Sequence, residues 1–156
     1  MTEQPYETVL DESATLIAQA YAQFGDLSGY YLGQTSSMLQ LRLFRPLYLQ
    51  VSIFLLALLP STSSLVESLK ENCEQLSAEL VADDHDYCTN HLQAYQTTGD
   101  KYQLFLTYCQ EVVSSDALWM STQHKNVVPQ ASISDRGYVE IQNTIKRIEA
   151  FVEAHA

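Results

Sequence analysis

The sequence predicts an all-α fold, a single-domain bundle of five or six main helices over residues 1–156 with a central apolar helix. Hydrophobic residues make up 46% of the chain, while Gly and Pro number only 5 and 4. Apolar residues recur at steps of three and four along most of the chain, which is the period of a helix rather than a strand. A length of 156 residues fits one domain better than two.

The first helix is predicted over residues 6–24, where one apolar stripe runs from Tyr6 to Phe24. Pro5 stands just before it, where a missing N–H does no harm, and Gly25 is suited to end it. Residues 25–37 are rich in Gly and Ser, which is typical of an irregular connection.

Residues 38–59 are harder to interpret, because their leucines alternate with the period of a strand. The Leu-rich composition and the helices on both sides favour a helix over residues 46–59, with a kink or break near Pro46. For residues 38–45 the choice between helix and strand stays open. Residues 47–59 form a run of thirteen without a charge, and a membrane span needs about 20. This run therefore predicts a buried central helix without a membrane span, or alternatively an interface in a homo-oligomer.

Four further helices are predicted from similar apolar stripes. They cover residues 61–82, 84–96, 101–114 and 135–154. Ser64 and Glu67 match a capping box near the start of the first of these helices. The short connection before residue 101 predicts that the helices it joins are antiparallel neighbours. Residues 116–124 are expected to form one or two turns, and residues 125–134 a loop.

The charge of the chain excludes one class of partner and suggests another. Asp and Glu number 19 against 8 Lys and Arg, for a formal net charge of −11. A protein that binds a nucleic-acid backbone needs a basic stripe, so no nucleic-acid partner is expected. Residues 61–100 carry eight acids against the single base Lys70. Asp84 and Asp86 belong to this segment, and its acidic helices, residues 61–96, predict docking of a protein partner with a basic surface.

Cysteine usage and the first residues predict a cytoplasmic protein. The three cysteines are an odd number, which does not make a disulfide framework. Residues 1–7 are acidic and lack the basic and apolar regions of a signal peptide. We therefore expect the thiols to be reduced and buried in a reducing compartment.

Two further features are candidates for ligand binding. Arg42 and Arg45 are the only bases in the first 69 residues, and they are expected to pair with the acidic first helix or to bind an anion. Tyrosine is abundant, at ten residues, and several tyrosines fall on or beside predicted inner faces. They are Tyr21, Tyr87, Tyr95, Tyr102, Tyr108 and Tyr138. These side chains predict either a pocket for a small ligand in the helical core or ordinary core aromatics.

A metal site is a further hypothesis. Cys88 and His91 are three residues apart and share a helical face, and Cys109 could join them from the neighbouring helix. Such ligands suit zinc or iron, although the spacing matches no known zinc pattern. The alternative is that these side chains belong to the core. No Gly-rich phosphate loop or nucleophile elbow occurs, so the expected function is binding rather than catalysis.

The segment Met38–Pro60, MLQLRLFRPLYLQVSIFLLALLP, resembles the apolar helical segment of ferric siderophore reductases. In that family a Pro followed by Leu or Tyr opens a Leu/Ala-rich run. The resemblance implies release of iron from a siderophore by reduction at a [2Fe–2S] cluster, which a Cys-rich motif near the C-terminus holds. This chain has no Cys after Cys109, so no cluster ligand carries over. The resemblance implies at most a ligand-binding remnant of that function.

Overall fold

The computed structural model describes residues 4–24, 43–123 and 135–156. These residues form six α-helices and no strand, which confirms the all-α bundle. The helices are α1 (Tyr6–Phe24), α2 (Arg45–Leu58), α3 (Val66–Leu80), α4 (Tyr87–Thr97), α5 (Lys101–Gln123) and α6 (Asp135–Ala154). Buried side chains from all six helices join in one hydrophobic cluster, which is the arrangement that a single domain needs.

Helix α2 is central, as the sequence predicts. Nine of its 14 residues are buried, and it contacts each of the other five helices. Residues 49–56 of α2 are all buried, so this part of the helix shows no single apolar stripe, which explains why the leucine pattern resembled a strand. Pro46 lies in the first turn of α2, where it is tolerated. Residues 38–42, for which the sequence left helix and strand open, lie outside the described residues.

The burial of α2 limits which of its residues could form an interface between two copies of the chain. Its buried residues are already covered within one chain, so a second copy could reach only the residues that stay partly exposed, such as Tyr48, Ala57 and Leu58. No described helix combines the length and the apolar character that crossing a bilayer requires.

The starts of α3 and α4 differ from the sequence prediction. Helix α3 begins at Val66 without a side-chain cap, so the predicted capping box is not formed. Instead, the Ser63 hydroxyl accepts the N–H of Leu65 at 3.3 Å and donates to the backbone carbonyl of His155 at 2.9 Å. Helix α4 begins three residues later than expected, because the Asp84 carboxylate accepts the N–H of Asp86 at 3.2 Å in a turn that precedes the helix.

Helix α5 is longer than predicted. Asp100 caps it, since Oδ1 accepts the N–H of Gln103 at 3.0 Å. The helix then continues to Gln123 and includes most of the segment that was expected to form separate turns. No Gly or Pro occurs between residues 101 and 123, so nothing in the sequence forces an end near residue 114. The predicted loop over residues 125–134 lies outside the described residues.

Two tyrosines that were placed on or beside inner faces are on the surface. Tyr102 is 41% exposed and Tyr138 is 45% exposed. In α6 the buried stripe includes Gly137, Ile141 and Ile145, so Tyr138 lies one residue outside it.

Candidate functional site

A pocket of about 490 Å³ lies among α2, α3, α4 and α5. Its walls combine apolar and polar side chains. They are Pro46, Leu49, Gln50, Leu80, Val81, Tyr87, Tyr108, Glu111, Val112 and Ser115. The volume is within the range of small-molecule sites, which is about 300–1,000 Å³. We call this cavity the Gln50 pocket.

Gln50 gives the pocket its most unusual group. It lies on the central helix and is only 1% exposed. Its Nε2 donates to the hydroxyl of Tyr87, but its Oε1 has no hydrogen-bond partner among the described residues. An unpaired buried acceptor costs about 1–3 kcal/mol. Gln50 is one of the residues that line the pocket, so a ligand that reaches Oε1 with an N–H or O–H group would satisfy this acceptor.

Three aromatic rings in mutual contact lie beside Gln50, and we call them the His91 stack although the Tyr87 ring is tilted by 40° from that of His91. The His91 ring lies 4.1 Å from the ring of Tyr87 and 4.2 Å from that of Tyr108, measured between centroids. The rings of His91 and Tyr108 are parallel to within 1°. Tyr87 and His91 are four residues apart on α4 and so share a face, while Tyr108 reaches them from α5. The stack fixes the two tyrosines that line the pocket.

The titratable groups of the stack are held neutral. Burial lowers the pKa of His91, against an opposing effect of Asp84. Burial raises the pKa of Tyr87 to about 12, and the negative charge of Glu111 adds to the rise although the bond from Gln50 opposes it. Burial also raises the pKa of Tyr108, again with a contribution from Glu111. The Glu111 charge therefore acts on both tyrosines of the pocket.

The predicted ligand-binding residues divide between the pocket and the surface. Tyr87 lines the pocket. Tyr95 is fully buried behind it, in edge contact with Tyr108 at 5.7 Å between centroids. Asp84 and Asp86 are exposed before α4 and do not line the Gln50 pocket.

The two predicted arginines have separate outcomes. Arg45 forms an exposed ion pair with Glu79 of α3, rather than with the acidic first helix. Arg42 lies outside the described residues.

The structure does not assemble the candidate metal ligands. No group of three or more His, Cys, Asp or Glu side chains that could hold a metal ion occurs among the described residues. The thiol of Cys88 donates to the backbone carbonyl of Cys73 at 3.1 Å, and Cys109 is fully buried in the core. Burial raises the pKa of all three thiols, which disfavours the thiolate that binds metal or attacks a substrate.

Sequence reasoning missed Gln50 and Glu111. The signal for Gln50 was available, because Gln50 and Ser52 are the polar residues within the apolar run 47–59 other than Tyr48. The Ser52 hydroxyl donates a hydrogen bond of 2.7 Å to the backbone carbonyl of Tyr48, one turn earlier. A buried glutamine has no such local solution and needs a partner from another element. No sequence pattern marked Glu111 as a pocket residue, since only the packing of α5 brings it to the pocket.

The chain matches no protein-family model, no curated protein and no solved structure.

Proposed function

We propose that this protein is a non-catalytic binding protein that holds a small organic ligand in the Gln50 pocket. The observation that carries the proposal is Gln50, a residue of the pocket lining whose amide is almost fully buried and whose Oε1 is unpaired. Apolar walls with a few converging polar groups are the usual composition of a ligand site.

The state of the titratable groups supports holding a ligand rather than transforming it. A pKa of about 12 keeps the Tyr87 hydroxyl protonated at neutral pH. His91, the residue type most often used as a general base, lies behind the tyrosines in the stack and does not line the pocket.

Substitution of Gln50 tests the proposal. Small molecules that bind the protein are first found by ligand-observed NMR, and their affinity is then compared between the natural chain and Gln50→Leu. We expect a loss of about tenfold or more, because the ligand loses a buried hydrogen bond worth about 1–2 kcal/mol. Gln93→Leu, the same change at an exposed site of α4, is the matched control and should bind normally. Equal affinity in Gln50→Leu and the control would contradict the proposal.

A second candidate function is docking of a basic protein partner on the acidic segment. All eight acids of residues 61–100 are exposed, and Glu79 is paired with Arg45. Three of the others, Glu67, Glu71 and Glu74, line one surface depression together with Lys70, and their charges would attract a basic partner. The test uses poly-lysine as the probe, at low and high salt. Replacing Glu67, Glu71 and Glu74 with Gln should weaken binding more than removing three acids of α1 (Glu7, Asp11 and Glu12). Equal losses in the two triple variants, or binding that is insensitive to salt, would count against a specific acidic surface.

The alternative of a redox or metal-binding protein stays a proposal, and the resemblance of residues 38–60 to ferric siderophore reductases is its support. It requires iron or zinc in stoichiometric amount after purification, and an absorption spectrum with elemental analysis measures this. The cytoplasmic location is likewise proposed, supported by three cysteines that are all free and buried.

A further inference from the structure

We infer that the ligand of the Gln50 pocket is a small organic cation, an amine or amidine on an apolar body. Its N–H groups would donate to Gln50 Oε1 and to the carboxylate of Glu111, and both residues belong to the lining of the pocket. This inference rests on the proposed function, and it adds the chemical class of the ligand.

The first argument for a cation is that Gln50 and Glu111 both offer hydrogen-bond acceptors. Gln50 Oε1 lacks a donor, so the ligand should bring one. Glu111 is an exposed residue on the wall of the pocket and is the one charged residue among those that line it. The charge of the described lining is therefore −1, with no base to neutralise it. A hydrogen bond between a cation and a carboxylate is stronger than one between neutral groups.

The pKa directions of the two tyrosines agree with the position of Glu111 on the wall of the pocket. Glu111 contributes to the raised pKa of both Tyr87 and Tyr108, in each case after the larger effect of burial. The same field that opposes a tyrosinate would stabilise an ammonium or amidinium group and repel an anion. Arg45, next to Pro46 of the pocket wall, is paired with Glu79.

The remaining walls suit the body of such a ligand. Leu49, Leu80 and Val112 supply apolar surface. The rings of Tyr87 and Tyr108 are aromatic faces of the kind that attract organic cations. A strongly hydrated inorganic cation would gain nothing from these walls, which is why the inference specifies an organic one.

Three probes with a similar skeleton and different charge test the inference. They are 2-phenylethylamine as the cation, 2-phenylethanol as the neutral form and 3-phenylpropanoate as the anion. Calorimetry or NMR titration at pH 7.5 and low salt should show the cation binding about tenfold more tightly than the alcohol, with the anion weakest. Glu111→Gln should remove most of the advantage of the cation, because the affinity for the cation should fall much more than the affinity for the alcohol. Glu153→Gln, an exposed acid of α6, is the control for the change in net charge and should have no effect.

The outcomes separate the ligand class from the proposed function. Tighter binding of the alcohol or the anion, weakened by Gln50→Leu, would overturn the cation and leave the binding function intact. No measurable binding of the cation at millimolar concentration would also overturn the ligand class. Binding of the cation that neither Gln50→Leu nor Glu111→Gln alters would place it outside this pocket and overturn the inference.

Discussion

Three buried polar atoms without a hydrogen-bond partner lie close together in the described part of the chain. They are Gln50 Oε1, His91 Nδ1 and the hydroxyl of Tyr95. Tyr87 contacts the first two side chains, and Tyr108 contacts His91 and Tyr95. Native proteins leave few such atoms unpaired, because each one costs stability. Their concentration beside one pocket indicates a region selected for something other than stability alone.

Tyr95 permits a direct measurement of this cost. Its hydroxyl is buried without a partner, so Tyr95→Phe removes an unpaired polar group and keeps the ring against Phe54. We expect the free energy of unfolding to rise by about 1 kcal/mol and Tm by about 2–4 °C. Tyr138→Phe, at a site that is 45% exposed, is the control and should change little. A loss of stability in Tyr95→Phe would show that the hydroxyl has a partner.

His91 should make the stability depend on pH. Burial lowers its pKa in the folded protein, so the unfolded chain takes up a proton first as the pH falls. The contribution of neutral His91 is complete above the unfolded pKa of about 6.5 and is lost as the pH falls through the lower folded value. Urea unfolding between pH 7.5 and 5.5 should show a smaller loss of stability in His91→Phe than in the natural chain. Parallel curves for the two proteins would mean that other groups account for the pH dependence.

At the scale of elements, Ser and Asp side chains in the turns before α3, α4 and α5 accept backbone N–H groups where these helices begin. Asp100 caps α5 directly, whereas α3 and α4 begin without a side-chain cap. Apolar stripes predicted the existence of these helices, since burial of one face determines them. The first residue depends on which neighbouring Ser or Asp accepts a backbone N–H, and sequence offers several candidates. This is why Ser64 was predicted as a cap although Ser63 makes the bond.

Removing the cap of α5 should have a measurable cost. In Asp100→Ala, the N–H of Gln103 loses its acceptor, and we expect a loss of about 1 kcal/mol in the free energy of unfolding. Asp83→Ala makes the same chemical change at an exposed site before α4 and controls for the loss of charge. Similar urea midpoints for both variants would show that the Asp100 bond contributes nothing specific.

At the scale of the whole molecule, the fold was more predictable than the site. The all-α class and the central position of α2 follow from composition and apolar content, which act along the whole chain. The pocket depends on how four helices pack, and it joins Gln50 and Glu111 across 61 residues of sequence. Tyr87 was a candidate because tyrosines are conspicuous, but no local pattern connects it with Gln50.

The core also depends on one ring that links three helices. Phe54 of α2 is fully buried and stacks on Phe105 of α5, with 4.2 Å between centroids and an interplanar angle of 11°. Its ring also contacts Tyr95 of α4 at 5.8 Å. Because α2 is buried on all sides around Phe54, over residues 49–56, the bundle has little freedom to close a cavity at this position.

Phe54→Ala should therefore cost about 3–5 kcal/mol, a large share of the 5–15 kcal/mol that is typical of a whole domain. Phe151→Ala is the matched control, since Phe151 is only partly buried and stacks on His155 at the end of α6. We expect its loss to be about half as large, because surface side chains relax around the deleted ring. Urea unfolding measures both, with an unchanged m-value as the sign that the denatured state is unaffected. If the two variants lost the same free energy of unfolding, the Phe54 ring of α2 would contribute no more to stability than a partly buried ring at the end of α6.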